Sequence, residues 1–175
     1  MLQRLALPAL CSLACVTACV AAYRRELSLP AVLAPLPSFA TAMLSARKPV
    51  ARAYAALGAA AWLAAGALLA APHIALSLLH ASATQSGLAT ARLLGASLIS
   101  VAVAHWVLSD AADRGRLGAS TFKSLNAHLA AASLAVAAAC VAAHASVAYS
   151  GLLAVAGAQA VPAALCLWQY WTAKK

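Results

Sequence analysis

Few side chains in the long charge-poor stretches of this 175-residue sequence could hold a proton, a metal or an anion. They are His73, His80, Arg92, His105, Asp110, His128 and His144. Ionisable groups are expensive to place in hydrocarbon, so each is a functional suspect by default. His80 and Arg92 fall near one set of interhelix connections, whereas Asp110 and His128 fall near the other, where polar tips reach water. His73, His105 and His144 are then the more deeply placed histidines. Together with Arg92 they form the candidate polar intramembrane site: His73, Arg92, His105 and His144.

Two neutral imidazoles on facing helices could supply both axial ligands of a haem iron. Counting along alternating helices puts His73 and His144 in one layer and His105 and His128 in another. Spacing argues against the idea, because His128 and His144 are sixteen residues apart, about 160° around and about 24 Å along one helix. His73 and His80 share a helix face but stand about 10.5 Å apart along it, too far to clasp one metal. No HExxH, GxSxG or glycine-rich phosphate loop occurs, and no aspartate completes a triad with Ser97, Ser100 or Ser109 near His105. We therefore expect no catalytic residue, no metal site and no cofactor, with haem kept as an alternative.

Composition dictates the elements that must position these groups. The chain is 65% hydrophobic with a mean hydropathy of +0.89, and 9% of its residues are charged, 12 basic against 3 acidic. Soluble domains carry about 25% charged residues. A soluble enzyme is excluded, and an integral membrane protein is expected. A spanning helix needs roughly 20 apolar residues. Runs of that kind predict helices over 54–79, 90–109, 125–144 and 151–171, with an earlier one over 5–22. The fold expected is an all-α, four-helix transmembrane bundle with an additional N-terminal hydrophobic helix.

The domain reading follows: 1–23 is a transmembrane helix or a targeting segment, 24–52 a basic interfacial linker, 53–171 the four-helix domain and 172–175 a basic tail. Residues 1–23 carry Arg4, an apolar stretch and small residues, a pattern shared by signal peptides and organelle-targeting segments. Pro30, Pro35 and Pro37 argue against a spanning helix in the linker and for a surface-lying or irregular segment.

Most of the charges encode orientation. Arg24, Arg25, Arg47, Lys48 and Arg52 precede the four helices; Arg114, Arg116 and Lys123 divide the second from the third; Lys174 and Lys175 end the chain. Four helices put all three clusters on one face, the cytoplasmic-equivalent side, which also receives the C-terminus. An organelle or endomembrane location fits as well as any other. The net charge of +9 is thereby spent on membrane orientation and anionic headgroups, and no nucleic-acid partner is expected.

Small residues set the expected packing. Of the residues, 53 are Ala, which recurs at Ala127, Ala131, Ala135, Ala139 and Ala143, while Gly58, Trp62, Gly66 and Ala70 form a similar series. Such stripes let membrane helices approach closely. Pro72 and Pro162 should kink their helices, taking the donor from the carbonyls of Leu68 and Ala158. Trp168, Tyr170 and Trp171 suit the headgroup layer and are expected to anchor the last helix. Cys11, Cys15 and Cys19 read as small packing residues, and the five cysteines leave the redox compartment open.

Two classes of function remain. One is a structural or accessory subunit, packing with itself or in a larger membrane complex among membrane lipids. The other is a small-solute or lipid carrier built on the polar site. The charge map makes a prediction: in a background lacking native cysteines, Ala83→Cys and Ser146→Cys should react with an impermeant maleimide from one side of the membrane, and Lys175→Cys from the other.

Overall fold

Proline decides where the first helices begin and end. The computed structural model describes residues 36–78, 84–147 and 150–173, and every regular element among them is an α-helix. Helix α1 is Leu36–Ser45, with Pro37 in the first turn, where its missing N–H is no loss. Of the linker 24–52, expected to be surface-lying or irregular, residues 36–45 and 49–52 are helical, so the irregular alternative does not hold over those stretches. Pro49 opens α2, Pro49–Ala70; the preceding Lys48 is extended (φ −98°, ψ 137°), the conformation a following proline imposes. The expected N-terminal helix lies outside the described residues.

The expected single helix over 54–79 is interrupted. Ala71 leaves the helical region (φ −135°, ψ 57°) and Pro72 begins a separate short helix, α3, Pro72–Leu78. Ala71 joins the two, donating to the Ala67 carbonyl at 3.0 Å and accepting from the Ala75 amide at 3.0 Å. Pro72 thus terminates α2 where a kink was expected. Pro162 behaves differently, for α6, Ser150–Thr172, runs through it unbroken.

Helix α4, Gln85–Asp113, outruns the expected 90–109 at both ends. Thr84 caps its start, accepting the Gly87 amide on its hydroxyl at 3.1 Å. Gly115 closes its end. With φ 69°, it takes the left-handed conformation while the Arg116 amide donates to Ala111 at 2.8 Å and its own amide to Ala112 at 3.1 Å. These bonds satisfy two of the carbonyls left over at the helix end, the arrangement glycine favours. Helix α5, Ser120–Val147, follows after this short connection.

Among the described residues, four helices are long and apolar enough to cross a membrane: Pro49–Ala70, Gly87–Asp113, Ser120–Ala145 and Leu152–Thr172. The protein is therefore an all-α, multi-pass membrane protein. Its chain forms two compact units that divide after Ser109.

In the first unit α2 and α4 run antiparallel in a fixed register. The Ser109 hydroxyl donates to the Ala51 carbonyl at 2.8 Å; a side chain on Gly58 would fall 3.1 Å from the Ala102 carbonyl oxygen; one on Gly95 would fall 3.0 Å from that of Ala65. Residues 51, 58 and 65 thus face 109, 102 and 95. Each set repeats every seven residues and consists only of Ala, Gly or Ser. A seven-residue repeat keeps one seam facing its partner, as in a left-handed coiled coil. Leu69, Ala96 and Ile99 complete the buried cluster around Ala65, with Trp62, Leu98 and Val103 packed on its edge.

In the second unit α5 packs on α6. The buried positions of α5 are Asn126, Leu129, Ala130 and Ser133, and those of α6 are Ala163, Cys166 and Gln169. Ala131, Ala135 and Ala139 are exposed. The expected alanine stripe therefore does not form the packed face, which is centred one step aside on a larger apolar residue and polar ones.

Glycine substitutions should separate the seam from the helices that carry it. Gly95→Ala is expected to cost about 1–3 kcal/mol, because the new methyl meets backbone of α2 that cannot rotate away. Gly157→Ala has open space around it and should stabilise by roughly 0.5–1 kcal/mol through helix propensity. Melting temperatures of both variants in one detergent would check the opposite signs.

Candidate functional site

The most constrained polar group of the first unit is His105, which is 2% exposed. It lies on the seam face of α4, one turn before Ser109. Its Nδ1 is 2.8 Å from the Val101 carbonyl oxygen, four residues back. A carbonyl only accepts, so Nδ1 carries the proton in that bond and the neutral ring presents a lone pair on Nε2. That Nε2 is buried and has no hydrogen-bond partner.

Aromatic side chains surround this position. Tyr54 of α2 is fully buried with its ring centroid 6.1 Å from that of His105. Phe39, the buried residue of α1, meets Trp106 edge-on at 4.8 Å and Trp62 at 6.2 Å. The Phe39 ring occupies the space that Gly58 leaves open: its Cε1 would be 2.8 Å from a Cβ there, and the His105 Cβ would be 3.4 Å away. One missing side chain on α2 thus seats α1 and lets His105 lie against α2. Offset and edge-on aromatic contacts add about 0.5–1.5 kcal/mol each beyond the area they bury.

The other candidates are dispersed. Arg92 is on α4 with His105, but thirteen residues separate them, about 20 Å of helix and a rotation that turns them to different faces. Arg92 is partly buried, and its Nε has no hydrogen-bond partner. His73 is exposed on α3, immediately after the buried Pro72. His144 lies half-buried in the last turn of α5, in the second unit. His128, also on α5, is exposed and places Nδ1 2.7 Å from the Ser124 carbonyl oxygen. His80 lies outside the described residues.

His105 and His128 share one device, a ring nitrogen on the carbonyl one turn back. It satisfies half of an imidazole within its own helix, with no ligand needed. Among the described residues no group of three or more His, Cys, Asp or Glu could hold a metal ion. The bond that clamps two helices here is that of Ser109 to Ala51, and His105 is left with one acceptor nitrogen over.

At the end of the last helix Trp168 and Trp171 are exposed, Tyr170 is half-buried and stacks edge-on with Trp171 at 5.4 Å, and the Thr172 hydroxyl donates to the Trp168 carbonyl at 2.7 Å. Gln169 between them is buried.

Sequence reasoning did not single out Phe39, Tyr54 or Gly95, and it weighed Ser109 for a triad with His105 that lacks its aspartate. Ser97 does bond locally, to Leu94 at 2.7 Å, whereas Ser109 reaches across to α2. The signal for the seam was present in the seven-residue repeats of small residues. Nothing in the sequence marked Phe39 apart from its being the single aromatic among the linker prolines.

Removing the Ser109 hydroxyl tests how far the clamp holds the pair. Ser109→Ala is expected to lower stability by about 0.6–1.5 kcal/mol, the range for interhelical hydrogen bonds in membranes and buried bonds generally. Reversible unfolding in mixed micelles would measure it. Compared with known proteins, the chain matches no family model, no curated protein and no solved structure.

Proposed function

We propose that this protein is a small structural or accessory subunit that packs through α5 against a larger membrane complex or further copies of itself, with its C-terminus on the cytoplasmic-equivalent side. One contrast carries the reading. In α2, 39% of the most apolar stretch is buried within the chain, but in α5 the share is 17%. The exposed side of α5 combines Ala131, Ala135 and Ala139 with Leu134 and Val141, both about half exposed. Small side chains let a second backbone approach, which is what drives helix association in lipid. A lipid-facing helix has no such need for them.

A carrier with a polar intramembrane site is the second reading, favoured by the orphan Nε2 of His105. Its solute would offer an O–H or N–H donor to that nitrogen. Haem ligation is a weaker version of the same idea.

Native mass spectrometry after extraction in mild detergent separates these readings. The subunit reading expects the chain in a stable complex, and the double variant Ala135→Leu, Ala139→Leu to fall out of it with helicity and melting temperature unchanged. Recovery of wild type as a lone monomer would count against it, and a retained small molecule lost in His105→Phe would favour the carrier. No Soret band is expected in the same sample.

A further inference from the structure

Among the described residues, Arg92 is a cation with no counter-charge near it. Among the described residues no hydrogen bond or ion pair joins it to another side chain, and its Nε is buried without a partner. The chain has three acidic residues. Asp110 lies eighteen residues further along the same helix, about 27 Å by helix rise, and Asp113 further still. Glu26 lies outside the described residues. With no acid beside it in the described protein, the guanidinium must find its anionic partner outside the chain or stay in water.

Its depth can be placed from the helix. The spanning part of α4, Gly87–Asp113, has 27 residues, about 40 Å, against a hydrocarbon thickness of about 30 Å. Centred, it projects about 5 Å at each end, and the Arg92 backbone lies roughly 2–3 Å inside the hydrocarbon edge. Helical side chains lean toward the N-terminus, which here is the nearer edge. The stem therefore lies along the helix pair, and the terminal nitrogens reach the headgroup layer.

The surroundings point to a lipid. Leu93 is 72% exposed and Leu94 49%, so apolar surface flanks the cation on its own helix. In the antiparallel register Arg92 is level with Leu68, one turn before α2 breaks at Ala71. Arg47, Lys48 and Arg52 stand at the other end of α2. Arg92 is thus the sole Lys or Arg at this end of the first unit among the described residues.

We propose that Arg92 binds the phosphodiester of a membrane phospholipid in the leaflet opposite the basic loops, with Leu93 and Leu94 against its acyl chains. Arginine suits this role because its planar fork donates two parallel bonds to phosphate oxygens. The site is independent of whether α5 has a protein partner.

The test uses the full chain stripped of lipid in a sugar-headgroup detergent and titrated with phosphatidylglycerol, bound lipids being counted by native mass spectrometry. A glycolipid with the same acyl chains and inorganic phosphate serve as controls. Arg92→Gln is expected to weaken one phosphatidylglycerol-binding step about fivefold, the effect of one basic side chain at an anionic surface. Arg92→Lys should keep most of that affinity, and glycolipid binding should be the same in all three proteins. Helicity by circular dichroism establishes that each variant is folded, and the neutral Arg92→Met, expected to show the same loss, carries the comparison if Arg92→Gln is not. Equal phosphatidylglycerol binding by wild type and Arg92→Gln would overturn the proposal. So would displacement of the lipid by inorganic phosphate at matching concentration, which would make Arg92 a small-anion site.

Discussion

The first unit depends on the backbone of α2 being allowed to touch the backbone of α4. In water, apolar side chains are driven together by the solvent, but in lipid that force is absent and contact area with good packing must replace it. Gly58 and Gly95 provide the contact by having no Cβ, one on each helix and each aimed at a carbonyl oxygen of the other. Ser109 fixes the register at the end of the seam with a bond to the Ala51 carbonyl. What else is built there follows from that approach: Phe39 sits over the gap at Gly58, and His105 lies in the interface beside Tyr54.

Polar groups in this protein are mostly settled close to home. His105 and His128 use the carbonyl four residues back, and Thr41, Ser45 and Thr172 do likewise with their hydroxyls. Such bonds leave the helix ladder intact and shield a polar atom that lipid cannot solvate. Against that background the departures stand out: the Ser109 hydroxyl spent on another helix, the Nε2 of His105 and the guanidinium of Arg92.

Much of the fold was legible because membrane crossing is written in composition and length. Runs poor in charge located the four spans found among the described residues. Ends were less legible. Proline at 72 has two outcomes, kink or termination, and the same residue type at 162 leaves its helix whole, so local sequence does not choose between them. The extension of α4 back to Gln85 rests on a threonine cap that a scan for apolar runs passes over. The Gly58 and Gly66 series did fall on the buried side of α2, but the packed face of α5 was misread, because in a chain nearly a third alanine a stripe repeating every four is common by chance and drifts around the helix. The tighter signal was the seven-residue repeat. As for the candidate site, residue type found His105 and Arg92, but pairing one histidine with another required knowing which faces meet.

The break at Ala71 makes the paired helices unequal. From Pro49 to Ala70, α2 is about 33 Å long, close to the hydrocarbon thickness of an ordinary bilayer, while the 29 residues of α4 reach about 43 Å. The seam can tilt only as one body, because its register is locked. Tilting far enough to bury the surplus of α4 would draw the ends of α2, with Arg47, Lys48 and Arg52, toward the hydrocarbon. The pair is therefore matched to bilayer thickness by its shorter member, and the longer one is left standing in the headgroups on both sides.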